Sequence, residues 1–239
     1  MIELLHQIEQ IDTQIFLFFN GFHNVYWDYF MMIFSDRFVW VPFYASFIFV
    51  LLKNFPVKVV MSTIVVITLI ILFSDQTASG ILKPLVARMR PSNPDNPISP
   101  MVHVVQGYRG GRYGFPSSHA ANAWSMAFFA QYLVRRSKLT IFLCLWALIT
   151  SYSRMYLGVH YFGDILIGTL IGFLYATLYY YIFQYFLRKH TERFKPNHDI
   201  RFASVPIITG LVSIWVIICT SGILSFYNLS LIHISEPTR

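Results

Sequence analysis

Residues 57–81 read VKVVMSTIVVITLIILFSDQTASGI, and this stretch decides what kind of protein the chain is. Lys58 is its only charge before Asp75. A helix of about 20 mostly apolar residues crosses the hydrocarbon core of a bilayer, so the stretch reads as a membrane span. The same reading picks out 38–53, 117–135, 139–158, 163–187 and 203–227. Lys53 and Pro56 divide the first span from 57–81, and Arg135, Arg136 and Lys138 divide the third from the fourth. The basic run from Arg188 to Arg201 divides the fifth from the sixth. The expected fold is all-α: a polytopic membrane bundle of about six transmembrane helices within residues 37–228.

Composition agrees. Of 239 residues, 56% are hydrophobic and 12% charged, about half the charge that coats a soluble globule. The mean hydropathy is +0.54. A soluble monomer, a disordered chain and a coiled coil are therefore excluded. The net charge of +7 would raise nucleic-acid binding in a soluble protein. Here the cations stand in short clusters between apolar runs, as membrane loops do, and no nucleic-acid partner is expected. Cys144 and Cys219 lie inside apolar stretches without metal-site spacing and read as packing residues.

The two ends read differently from the middle. The start, MIELLHQIEQ, has neither the basic nor the apolar region of a secretory signal, so insertion relies on internal spans. Within residues 1–36, Leu4, Leu5, Ile8, Ile11, Ile15 and Phe18 recur at helical spacing among Glu3, Gln7, Glu9 and Asp12. This predicts an amphipathic helix lying in the interface, then a headgroup-level segment around Tyr26 and Trp27; an extra span is the rival reading. The last eleven residues, LSLIHISEPTR from Leu229, match the conceptual translation of a transposase-based sequencing adapter. Residues 229–239 are accordingly expected to be a non-native tail.

Charge asymmetry orients the bundle. Lys53, Lys58, Arg135, Arg136, Lys138, Arg188, Lys189, Arg193, Lys195 and Arg201 form the larger set and are placed in the cytoplasm. Arg37, Lys83, Arg88, Arg90, Arg109, Arg112 and Arg154 then face outward. Between them, Gly168-x-x-x-Gly172 permits close helix packing.

Three outward segments concentrate polar groups that a membrane protein otherwise avoids: Lys83-PLVARM-Arg90-Pro91, Phe115-Pro116-Ser117-Ser118-His119 and Ser153-Arg154-MYLGV-His160-YFG-Asp164. The first two flank the long polar loop 92–114, a length that is commonly functional or mobile. Lys83, Arg90 and Arg154 can hold a phosphate dianion. Ser117 and Ser118 open a helix whose free N–H groups favour an anion. His160 and Asp164 stand four apart, on one helical face. The carboxylate can hold one imidazole nitrogen protonated and aim the other at phosphorus. His119 is the candidate proton donor to the leaving oxygen. Read alone, the His160/Asp164 pair also fits a structural hydrogen bond or half of a metal site. No metal is expected, because no further ligand set completes one and the cations would repel it.

The order K-x6-R-P, P-S-x-H, S-R-x5-H-x3-D across residues 83–164 resembles the tripartite signature of the type 2 phosphatidic acid phosphatase (PAP2) superfamily. One position departs: Ser118 stands where the second motif usually has glycine, a place that contributes mainly its backbone N–H. The resemblance implies a six-helix core and a metal-independent phosphatase, without cofactor, that works through a phosphohistidine. By position, His160 is the implied nucleophile, Asp164 its orienting partner and His119 the acid. Lys83, Arg90, Ser117, Ser118 and Arg154 are the implied phosphate ligands.

The expected partners are the bilayer and a phosphorylated lipid. The leading substrate is undecaprenyl diphosphate, dephosphorylated on the outer face of a bacterial inner membrane to recycle the carrier of cell-wall synthesis. Phosphatidic acid, phosphatidylglycerophosphate and lipid A are the alternatives. A phosphotransferase, or a non-catalytic lipid-binding or transport protein, is the reading from another class. Arg109 and Arg112 are candidates for a second phosphate, or simply part of a solvated basic loop. Asp75, near the outer end of its span, can pair with a site cation or be simply solvated near the interface.

Overall fold

The structure is a computed structural model that describes residues 2–190 and 200–235, with side chains placed over 3–187 and 200–228. It is all helix apart from one isolated bridge. The helices are α1 (Ile2–Asn20), α2 (Val25–Phe34), α3 (Val41–Asn54), α4 (Val57–Asp75), α5 (Lys83–Val86), α6 (Ser118–Val134), α7 (Ser137–Tyr156), α8 (Phe162–His190) and α9 (Val205–Ser235). A π-helical stretch, Gln76–Leu82, joins α4 to α5 without a break. Of the expected tail, residues 236–239 and the side chains of 229–235 lie outside the described residues. So do the side chains of Arg188, Lys189, Arg193 and Lys195.

Six spans were expected. Among the described residues, four helices are long and apolar enough to cross a membrane: Val57–Val86, α7, Phe162–Leu187 and Val205–Asn228. A fifth exists if α2 and the segment Arg37–Asn54 count together, although they meet at a 62° bend. The difference lies in α3, which is only 14 residues, and α6, which is 17. α6 is shielded by its neighbours, whereas α3 keeps one face, with Val41, Ile48, Phe49 and Leu52, exposed. The buried face of α6 is rich in alanine (Ala120, Ala121, Ala123, Ala127 and Ala130), which suits a helix packed among others rather than one coated by lipid.

Glycine sets the central contact. A Cβ at Gly168 would collide with the carbonyl of Ser117, and one at Gly172 would lie 2.5 Å from that of Ala121. α8 therefore rides directly on the backbone of α6, as the Gly-x-x-x-Gly spacing predicts. On the other side, Phe34, Trp40, Phe43 and Trp146 form a run of edge and tilted aromatic contacts that joins α2 and α3 to α7. α9 closes the bundle against α2 and α3, with Ser46 and Thr209 hydroxyls 2.8 Å apart. Leu72, Phe73, Leu145, Leu148, Leu170, Leu174, Leu211 and Trp215 point outward and exposed. An apolar coat of that kind is at home in lipid and nowhere else.

At one end of the bundle the loop between α5 and α6 is ordered by hydrogen bonds. Ala87, in the left-handed region at φ 51°, ends α5 and turns the chain back. Met89 then pairs with Tyr113 in an antiparallel bridge, and Gly114 N–H donates to the Arg88 carbonyl at 2.9 Å. Asn96, buried, donates to the Arg90 carbonyl and the Tyr161 hydroxyl, each at 3.0 Å. These ties return Gly114–Ser117 to the side of Arg88 and Arg90.

α1 lies against the same end. Its apolar residues Leu4, Leu5, Ile8, Ile11 and Phe18 are exposed, and the stripe it buries is Asp12, Phe16 and Asn20. Asn20 binds the chain three ways, donating to the carbonyls of His103, Met155 and Tyr156 at 2.9–3.2 Å. The Trp/Tyr-rich segment that follows is α2, whose Phe30, Met31 and Phe34 join the main core.

Candidate active site

All three polar segments meet at this end. Ser117 caps α6: its hydroxyl accepts from Ala120 N–H, and its own N–H donates to the Asp164 carbonyl at 2.9 Å. That pair joins the start of α6 to the start of α8. Lys83 Nζ donates to Ser118 Oγ at 3.3 Å and to Ser79 Oγ at 3.0 Å, and Ser79 Oγ in turn donates to Asp75 at 3.4 Å. Asp75 thus reaches the site cation through a serine, on one face of the continuous α4–α5 helix.

His160 leaves α7 in the short turn before α8 and is 1% exposed. Its Nδ1 lies 3.2 Å from Asp164 Oδ2, and its Nε2 lies 3.3 Å from Arg90 Nη1. A guanidinium only donates and a carboxylate only accepts, so these partners assign the tautomer. Nδ1 carries the proton and Nε2 presents a lone pair. Burial, together with the charges of Arg90, Arg154 and Lys83, holds this imidazole well below its ordinary pKa, so it is neutral.

Asp164 is fully buried and accepts from three directions: His160 Nδ1, Tyr161 N–H at 3.0 Å and Arg88 Nη1 at 3.1 Å. Gly114 is glycine for contact reasons, since a Cβ there would stand 3.0 Å from Asp164 Oδ2 and 3.3 Å from Arg90 Cγ. Arg88 lies 2.7 Å from Asp12 Oδ2 and stacks 3.8 Å over the Tyr161 ring. Burial works against its charge, but Asp164 and Asp12 together raise its pKa above the usual arginine value.

Arg90 is pinned by the carbonyls of Tyr113 at 3.1 Å and Val159 at 3.2 Å. Burial and the nearby Arg154 charge lower its pKa from the arginine norm. Arg154, 3% exposed, donates to Ser35 Oγ and to the Tyr108 hydroxyl. Its Nε is buried without a partner among the described residues, which leaves one donor for an incoming oxygen. His119, in the first turn of α6, is within range of the Arg154, His160, Lys83 and Arg90 charges. It lines a cavity of about 500 Å³ together with Ser118, Ser35, Arg37, Asp75 and Asn122. From that polar end the cavity continues between α3, α4, α6 and α7, walled by Phe47, Ile48, Leu51, Ile64, Ile67 and Ile71.

The eight residues singled out from the sequence thus share one end of the bundle. Arg109 Nη1 donates to the Ser92 carbonyl and to Ser99 Oγ, bracing its own loop. Arg112 is exposed beside the Tyr113 ring. Sequence reasoning missed Arg88, counted there only as an outward cation, and Asp12, read as part of a solvated face. No hydrophobic period marks Asp12, which shares its buried stripe of α1 with Phe16 and Asn20.

The PAP2 superfamily sequence model matches residues 60–188. The chain is 45% identical over 221 residues to the lipid A 4'-phosphatase of Bacteroides thetaiotaomicron, covering 90% of this chain and 95% of that protein. It is 33% identical over 182 residues to the lipid A 4'-phosphatase of Porphyromonas gingivalis, covering 76% of each. The crystal structure of Aquifex aeolicus LpxE has the same fold, at a TM-score of 0.54 and 22% identity over 71% of this chain and 94% of that one. A family match over more than half the chain and relatives aligned along most of it leave one conclusion. This chain belongs to the PAP2 superfamily and is a membrane lipid phosphatase of that type.

Proposed function

We propose that the protein removes a phosphate monoester from lipid A, acting at the 4' position, through a phosphohistidine on His160. The likeness to the Bacteroides lipid A 4'-phosphatase, along nine-tenths of the chain, carries the substrate. It replaces undecaprenyl diphosphate, the substrate expected first, with what had been an alternative. The tautomer of His160 carries the chemistry.

In this reading the phosphoryl oxygens sit among Lys83, Arg90, Arg154, the Ser118 hydroxyl and the free N–H groups that begin α6. The Nε2 lone pair attacks phosphorus opposite the leaving sugar oxygen. As the N–P bond forms, the P–O bond breaks, and its electron pair leaves on an oxygen that takes a proton from His119. His119, now the base, removes a proton from water, and the hydroxide displaces phosphate from His160. Asp164 holds Nδ1–H throughout and balances the imidazolium that forms. Acyl chains have a place in the apolar cavity that begins at His119. Lys53, Lys58, Arg135, Arg136 and Lys138 stand at the α3–α4 and α6–α7 turns, the opposite end of the bundle from the site. That distribution supports a bacterial inner membrane with the site on its periplasmic face.

The test is phosphate release by detergent-purified protein, without added metal. The substrates are bis-phosphorylated lipid A, phosphatidic acid, phosphatidylglycerophosphate and undecaprenyl diphosphate, with His160→Ala as control. Preferential loss of the 4'-phosphate from lipid A is expected. A preference for another lipid overturns the substrate, and activity in His160→Ala overturns the nucleophile.

A further inference from the structure

We propose that Asp12, on the N-terminal helix and outside the segment matched by the family, is a positioning residue for the reaction. It acts through Arg88 to keep a net negative charge behind His160. The inference rests on the reading of His160 as nucleophile.

Arg88 Nη1 bridges two carboxylates, Asp12 Oδ2 at 2.7 Å and Asp164 Oδ1 at 3.1 Å. The second oxygen of Asp12 accepts the Gly163 N–H at 2.8 Å, one residue before Asp164. Gly163 has no room for a side chain, since a Cβ would stand 2.8 Å from Asp12 Oδ2. Asp12 is 9% exposed and Asp164 is not exposed at all. A helix distant in sequence therefore caps the first turn of α8 and grips the cation that touches the orienting carboxylate.

Charge explains why one carboxylate is not enough. Arg88 paired with Asp164 alone is neutral, so the pair would offer little to an imidazolium. Arg90 stands on the other, Nε2 side of His160, and with Lys83 and Arg154 it opposes a positive charge on the ring. With Asp12 the cluster carries two negative charges and one positive. The net charge of −1 lies on the Nδ1 side of the ring, where it stabilises the cation created when Nε2 bonds to phosphorus. Asp12 never meets substrate. Its effect appears only as His160 gains charge, and so in kcat rather than in binding.

Asp12→Asn separates charge from structure, because its amide oxygen can still accept the Gly163 N–H. Asp12→Glu keeps the charge on a longer stem. Asp12→Ser is a second charge-free variant that retains an acceptor. Each is compared with wild type and His160→Ala for lipid A phosphate release per folded protein, with folding checked by thermal unfolding. The expected result is a kcat lower by about 10- to 100-fold in Asp12→Asn and Asp12→Ser, with KM within about twofold, and substantial recovery in Asp12→Glu. Wild-type kcat in Asp12→Asn overturns the proposal, as does a loss expressed in KM. Failure of both charge-free variants to fold makes Asp12 a structural clamp and also overturns it. Activity in His160→Ala instead overturns the nucleophile assignment, which keeps the two failures apart.

Discussion

Arg90 Nη1 stands 3.3 Å from His160 Nε2, so the nitrogen assigned to attack phosphorus shares its lone pair with a phosphate-binding cation. In the proposed mechanism one residue thus both gathers the substrate and sets the protonation of the nucleophile.

The pH profile follows from that contact. His160 must be neutral to attack, and burial with Arg90, Arg154 and Lys83 lowers its pKa well below the ordinary value of 6.5. The acid limb of kcat/KM is therefore expected below that of a free imidazole. Arg90→Gln removes a positive neighbour, raises the His160 pKa and moves the limb upward. The substrate's own second ionisation, at about 6, is common to both enzymes, so their difference reports His160. Stability carries the same sign. Below pH 6.5 the unfolded chain takes a proton that folded His160 refuses, so the melting temperature falls with pH, less steeply in His160→Gln.

His119 and His160 are expected to fail differently. His160→Ala loses about 10⁴-fold or more in kcat on every substrate, because no N–P bond can form. His119→Ala loses about 10²- to 10⁴-fold on lipid A, whose sugar oxygen must be protonated as it leaves. On p-nitrophenyl phosphate, whose leaving oxygen needs no proton, most of the loss in phosphoryl transfer to His160 disappears. Burst kinetics with both substrates checks this, and equal losses would remove His119 as the acid.

The glycine seam makes a third test. Gly172→Ala presses a methyl against the Ala121 carbonyl and is expected to cost about 1–3 kcal/mol of stability, with activity per folded molecule retained. Gly168→Ala meets the carbonyl of Ser117, which caps α6 at the phosphate site, and should lower both melting temperature and kcat. Thermal unfolding beside turnover separates the two.

The convergence of these residues at one site was legible because they are too expensive to place at a membrane without purpose. Lys83, Arg90, His119, Arg154, His160 and Asp164 each interrupt or edge an apolar run, and their spacing survives as motif. The role of α1 was not legible, because Asp12 sits among Glu3, Gln7 and Glu9 and differs from them only in what it faces. A stripe of Asp, Phe and Asn has no hydrophobic period to betray burial. The reading of six spans also met a limit of pattern: α3 and α6 are apolar in sequence, yet at 14 and 17 residues they fall short of a full crossing, and the alanine-rich α6 is covered by its neighbours. Arg109 adds a second use for a loop cation, since its Nη1 braces its own loop through Ser92 and Ser99.

The apolar cavity supplies the last prediction. Its polar end holds Ser118 and His119, and its far walls are Phe47, Leu51, Ile64 and Ile67, so a lipid phosphate at His160 would have a chain lying between α3 and α4. Ile67→Trp fills that space without touching a charged group. The variant should raise KM for lipid A by about 10-fold or more, because a chain that no longer fits forfeits its burial energy. Its kcat should change little, since none of the cations or imidazoles moves. A short, water-soluble phosphomonoester makes no use of the cavity, so its kcat/KM should match wild type. Equal impairment of both substrates would mean that the tryptophan had disturbed α6 and the site itself, and an unchanged KM for lipid A would mean that the chains lie elsewhere.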